Sequence, residues 1–284
     1  MTQQNERAGG RDFIATAVRN IILALSFIFA ATGLASAADA LNQPQPPVQD
    51  QQRWRVIVSP YLWGASLKGD VGLFGRSTDV NMPFRKIFDN LDAGVMGNIE
   101  IGNGVFGAYV DGQYVKTSQD ADIRRHELDL DVTTTVVAGG VFYRLYDQPL
   151  EGTTLFGDRR TFAIEPTAGL RWTRIKAGVD IDRFGLSRKV EWTDPFVGAR
   201  VLYDIDDRWN LAAEADVGGF GAGTKLSANG QIYLGYRMRV FEVPTMLRIG
   251  YRALYQDYDR DDSRDRFKYN VTQHGPVIGF SVVF

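Results

Sequence analysis

The chain has 284 residues, a formal charge of −2 and no cysteine, with 30 Gly, 17 Phe, 12 Tyr and 5 Trp against only 2 His. Without cysteine there is no disulfide framework, thiolate metal site, cysteine nucleophile or lipid-anchor cysteine. The near-neutral charge leaves no basic footprint for nucleic acid, so no nucleic-acid partner is expected.

Arg7, Arg11 and Arg19 precede an apolar run, Ile21 to about Leu34, that ends at Ala35-Ser36-Ala37. A basic segment, a short apolar stretch and small residues at its exit predict a secretory signal peptide over 1–37. An uncleaved anchor is the alternative, but the run is short for a helical span and nothing basic follows it. Residues 38–52 (ADALNQPQPPVQDQQ) are polar and rich in Pro and Gln, a disordered periplasmic leader with too little apolar surface to fold.

From residue 53 to 284 the dominant period is two. In RWRVIVSPYLW, one face carries Trp54, Val56, Val58, Pro60 and Leu62. The same alternation gives Trp209, Leu211, Ala213, Ala215 and Val217, then Ile232, Leu234, Tyr236 and Met238, then Leu247, Ile249, Tyr251, Ala253 and Tyr255. Strands are the only element with this period. The best helical candidate is short, Phe84 to Leu91. Turn signals divide the segment into ten strands: 53–66, 92–101, 104–118, 125–146, 161–178, 189–204, 208–219, 228–240, 244–257 and 268–284. Two stretches strain that count. Residues 67–91 could hide a hairpin, making twelve strands, and 147–160 is long for a turn; eight also remains open.

A soluble sandwich would alternate too, so the second face decides. Here it bears Gly, Asp, Glu and Arg in strand centres, while aromatics flank the apolar face. Trp54, Phe106, Phe142, Phe162, Tyr203, Trp209, Phe241 and Phe284 sit near one set of strand ends; Tyr114, Trp172, Trp192, Tyr255 and Tyr269 sit near the other. An apolar band between two aromatic girdles around a polar interior is the pattern of a transmembrane barrel. The expected fold is therefore all-β: an antiparallel, up-and-down transmembrane β-barrel in the cell outer membrane, with tight turns (102–104, 204–207, 240–244) periplasmic and longer loops outside.

Threading the parity places Glu100, Asp111, Glu165, Glu214 and Asp216 in the lumen with Arg55, Arg171, Arg200, Arg237, Arg248 and Arg252. Buried charges need partners, and the planar guanidinium suits carboxylates, so this set predicts a cross-linked, mostly filled interior. A charged narrow channel is the alternative, since a ten-stranded barrel is only slightly wider than one its side chains fill.

The last strand turns Ile278, Phe280, Val282 and Phe284 toward lipid. A terminal Phe behind alternating apolar residues resembles the assembly signal of outer-membrane barrels, which implies the barrel-assembly machinery as a partner alongside outer-membrane lipid and lipopolysaccharide. Over about 53–284 the chain resembles small proteobacterial outer-membrane β-barrel proteins of the broad OmpA/OmpX-like superfamily. The resemblance rests on SPYLWGASLKGDVG (59–72), EWTDPFVGARV (191–201), AEADVGGFGAG (213–223) and GYRALYQDYD (250–259). It implies a fold and a location and brings no activity with it.

Enzymatic candidates are thin. His126 opens a strand beside Glu127, Asp129 and Asp131, and His274 lies on the lipid-facing parity near Pro276. No Ser-His-acid spacing or Asp-His pair is visible, so no catalytic residue, metal ligand or cofactor is assigned; a rim hydrolase is the third reading after a structural or surface-interaction barrel and a channel. The stretch 256–268 mixes Asp with Arg and Lys without EF-hand spacing, as a solvated loop stiffened by its own ion pairs or a bridge through divalent cations to lipopolysaccharide phosphates.

Overall fold

The structure is a computed structural model that describes residues 54–73, 76–123, 126–181, 184–260 and 267–284. The predicted signal peptide and leader lie outside the described residues. In chain order the elements are β1 (Arg55–Trp63), β2 (Ser66–Leu73), β3 (Arg76–Met82), α1 (Phe84–Asp89), β4 (Leu91–Gly102), β5 (Phe106–Ile123), β6 (His126–Tyr143), β7 (Tyr146–Thr153), β8 (Arg159–Ile181), β9 (Phe184–Asp204), β10 (Trp209–Gly218), β11 (Leu226–Val240), β12 (Val243–Arg260) and β13 (Phe267–Val283).

Among the described residues ten of these strands close one antiparallel barrel in the order β1-β4-β5-β6-β8-β9-β10-β11-β12-β13, with β13 returning to β1. The seam pairs Tyr61 with Gly279 and Ile57 with Val283. At its foot the Phe284 N–H donates to the Val56 carbonyl at 2.9 Å and the Val56 N–H donates back at 3.2 Å. Closure leaves no free edge along the seam, where β1 pairs with β4 on one side and β13 on the other, as hydrocarbon requires.

The two stretches that strained the strand count have specific outcomes. Residues 66–82 do form a hairpin, β2–β3, but it does not enter the wall. β13 outruns β1, and its surplus residues, His274 to Phe267, pair instead with Ser66 to Leu73. The wall thus stays at ten strands and the hairpin extends it at one end. Residues 146–153 form β7, which folds back on the first residues of β8, pairing Pro149 with Thr161. The end carrying β7 and the tight connections at 103–105, 205–208 and 241–242 is the turn end; the other is the loop end.

Period-two alternation sorts the side chains. Outward, Leu62, Val95, Ile99, Val110, Val141, Leu170, Val197, Val217, Ile249, Ile278 and Phe280 are all exposed. A contiguous apolar belt of this extent is not a water-facing surface; it is the lipid-facing wall of a transmembrane barrel. Inward lie Glu165, Arg171, Asp194 and Asp216, all buried.

Glycine and aromatic content meet inside the wall. In register, Tyr109 faces Gly140, Phe142 faces Gly107 and Phe196 faces Gly169. A Cβ at Gly140 would lie 2.8 Å from the Tyr109 ring, and one at Gly107 or Gly169 would overlap the Phe142 or Phe196 ring. The missing side chains let three rings lie flat on the wall, where they form one cluster with Ala138. Phe142 was expected in the outer girdle. It is buried instead, because it shares the parity of Ala138 and Gly140, and the neighbouring Tyr143 takes the outward position. Trp192 and Tyr269, expected in the opposite girdle, are also inside, at 5 % exposure each; both have the lumen parity of their strands.

Candidate functional site

The lumen is organised in tiers. At the turn end the Arg237 guanidinium bonds Asp204, whose other oxygen accepts the Thr161 N–H at 2.9 Å. Arg55 pairs with Asp158 here, with its side chain nearly half exposed. It has the lumen parity but stands at the rim, outside the filled interior.

The next tier centres on Glu165, which is fully buried. Arg144 donates to one oxygen at 2.9 and 3.0 Å, and Arg200 donates to the other at 3.0 Å. Arg200 also reaches across to Glu100 at 2.6 Å. Its guanidinium stacks on the Phe142 ring at 3.9 Å, the ring seated over Gly107. Arg144 falls within the expected strand 125–146 and has the inward parity of Ala138, Gly140 and Phe142, yet it is not among the lumen charges expected from the sequence.

The third tier crosses the lumen. Arg171 donates to both Asp216 oxygens at 2.7 and 2.8 Å, and the Asn229 amide donates to Asp216 at 2.9 Å. Asn229 accepts from Arg252 at 3.1 Å; Arg252 donates to Asp111 at 3.2 Å and to the Tyr61 hydroxyl at 3.1 Å. One chain of hydrogen bonds thereby joins β8, β10, β11, β12, β5 and β1. Aromatics back it, with Phe196 under Arg171 at 5.0 Å and Trp63 under Arg252 at 5.1 Å. Glu214 stands apart, accepting from the Gln231 amide at 2.9 Å. Arg248 is half-buried and has no ion-pair partner among the described residues.

Above these tiers, toward the loop end, the interior turns apolar. Val190, Trp192, Tyr258, Phe267, Tyr269 and Val271 form a buried cluster, with Leu67, Val71 and Ile175 packed against it. Trp192 stacks on Tyr258 at 4.5 Å. The cluster joins β8 and β9 to β12, β13 and the β2 hairpin, drawing the barrel's extension together over the lumen. Beside it, Asp194 accepts the backbone N–H of Thr224 at 2.6 Å and its hydroxyl at 2.9 Å, tying the loop after β10 down onto β9.

The two histidines differ. The His126 side chain lies outside the described residues. His274 faces outward on β13, where its Nδ1 bonds the Tyr251 hydroxyl at 2.7 Å. In the stretch 256–268, Asp259 pairs with Lys225 at 2.9 Å, and residues 261–266 lie outside the described residues. Among the described residues no three His, Asp or Glu side chains are grouped to hold a metal ion.

No protein-family model matches the chain, and no curated protein matches it by sequence. Solved structures to which it is similar include Ail, the attachment invasion locus protein of Yersinia pestis, in complex with the heparin analogue sucrose octasulfate (12% identity, 81% of this chain and 98% of that one, TM-score 0.34). Others are Neisserial surface protein A (14%, 81% and 96%, TM-score 0.31) and a Pseudomonas aeruginosa FadL homologue (10%, 81% and 90%, TM-score 0.25). Closure, the apolar outer face and the charged interior define the class on their own: an outer-membrane β-barrel protein.

Proposed function

We propose that the barrel is a plugged one with a non-enzymatic, structural or surface-interaction role, acting through its outward wall and loop end rather than through its lumen. The observation that supports this most is the Trp192–Tyr258 cluster, an apolar core seated over tiers of paired charge. An ion would have to leave water, part a packed aromatic core and then disrupt hydrogen-bonded pairs, each a large cost. The loop end faces outward in this reading, and outer-membrane lipid and lipopolysaccharide are the partners of the wall. Ile278, Phe280, Val282 and Phe284, on the outward face of the closing strand, are the segment presented to the barrel-assembly machinery. The test is planar-bilayer conductance of the folded full chain. No stable current steps are expected; ohmic steps that persist at constant voltage would overturn the plug.

A further inference from the structure

The outward face of β8 and β9 changes character over a few residues. Along β8 the outward positions run Leu170, Trp172, Arg174, Lys176, in steps of about 7 Å. The order is that of a membrane surface: apolar wall, interfacial aromatic, then two cations. On β9, register sets Lys189 directly opposite Lys176 and Glu191 opposite Arg174. On the other side Thr133 of β6 stands opposite Lys176, and Lys116 of β5 stands opposite Thr133.

The local charges do not balance. Arg174 Nε and Lys189 Nζ both bond the same Glu191 oxygen, each at 3.1 Å. The Arg174 guanidinium lies over the Trp172 ring, 4.5 Å from its centroid. Lys176 is exposed and has no acidic partner among the described residues. Lys116 is held by Asp92 at 3.5 Å, and among the described side chains the remaining acid nearby is Asp131, which stands one outward step beyond Thr133 and accepts from the Ser118 hydroxyl. Two cations thus share one carboxylate, and the third, Lys176, faces one of them directly across a strand pair. Like charges in that position destabilise a sheet, so the arrangement is a cost to the isolated protein that an anion between them removes. The corresponding outward positions of β12 and β13 carry Asp257, Asp259, Asn270, Thr272 and Lys268, and Asp259 is paired with Lys225, so acids and cations balance in that sector.

We infer that Arg174, Lys176 and Lys189, with the Thr133 hydroxyl beside them, form a docking site for the phosphorylated headgroup of an outer-leaflet glycolipid, whose acyl chains run down the wall past Trp172 and Leu170. The inference rests on the membrane-spanning reading above and adds a lipid class and a location to it. An interfacial position one step above an aromatic suits a lipid phosphate, and lysines near such a surface attract anionic headgroups.

The test uses the folded full chain in phosphatidylcholine vesicles containing diphosphorylated lipid A, with bound lipid counted by native mass spectrometry. Lys176→Gln/Lys189→Gln should bind lipid A at least about tenfold more weakly than wild type. Lys268→Gln should bind like wild type, and dephosphorylated lipid A should bind wild type only as weakly as it binds the double variant. Equal binding by the double variant overturns the site, as does an equal loss in Lys268→Gln, which would mean general surface charge. Competition by inorganic phosphate at matched phosphate concentration also overturns it, in favour of a bare anion site. A chain that shows no heat-modifiable folded band in vesicles would fail as a membrane barrel, a result distinct from a folded barrel that ignores lipid A.

Discussion

The Arg171–Asp216 pair allows the filled-lumen argument to be put in numbers. Both side chains are 2% exposed, and the two hydrogen bonds are 2.7 and 2.8 Å. At an effective dielectric of about 20, unit charges about 4 Å apart attract by about 4 kcal/mol, which roughly offsets the cost of taking both from water. Removing one partner keeps the cost and forfeits the attraction. Arg171→Met should therefore destabilise the barrel by about 3–5 kcal/mol, and Asp216→Leu by a similar amount. The first leaves Asp216 with only the Asn229 amide; the second leaves Arg171 stacked on Phe196 without an anion. The double variant Arg171→Met/Asp216→Leu removes both charges and should lie within about 1 kcal/mol of wild type, or above it. Urea unfolding from vesicles, followed by heat-modifiable mobility and tryptophan fluorescence, gives all four stabilities. If the single variants each cost less than about 1 kcal/mol, or their effects add in the double within about 0.5 kcal/mol, the pair is solvated and the lumen is wet at this level.

Phe284→Asp should slow or block folding into vesicles, because this outward residue pairs with Val56 at the closing seam, where a charge on the lipid side is costly. Val283→Ser, on the inward face, should fold nearly as wild type, and heat-modifiable mobility ranks the two; the reverse ranking would refute the register. Gly169→Ala should cost about 1–3 kcal/mol in the same urea titration, because its methyl would overlap the Phe196 ring and the Gly139 carbonyl. In the turn before β10, the N–H groups of Trp209 and Arg208 hold the Asp206 carboxyl below its ordinary value of 3.8. A depressed folded pKa gives stability that is full above the unfolded value and lost as pH falls through the folded one. The urea midpoint of Asp206→Ala should therefore lie below wild type at pH 7, and the gap should close as pH falls below 3.8 and through the lowered folded value; a gap that persists at acid pH would mean the charge is not what stabilises the turn.

What the chain determines by itself is which side each residue takes. Alternation is a local property of an extended backbone, so the outward row of Ile278, Phe280 and Val282 and the inward Glu165, Arg171, Arg200 and Arg252 are legible without knowing any neighbour. Residues at strand ends are less legible, because an interfacial aromatic and a capping aromatic have the same composition. Trp192 and Tyr269 were placed outward for that reason, although the strand parity that brought Arg200 inside applies equally to Trp192. The glycines facing Tyr109, Phe142 and Phe196 left a fainter trace, visible only once the strands are aligned. Who meets whom is decided by register and closure. Arg200 reaches Glu100 from four strands away, across the lumen, and Asp111 of β5 meets Arg252 of β12 the same way. No spacing along the chain encodes those contacts, because they exist only where a sheet has curled far enough to face itself. The hairpin of residues 66–82 shows the same division: its turn residues could be read, but its place outside the wall follows from β13 being longer than β1, a comparison that exists only after the two have paired.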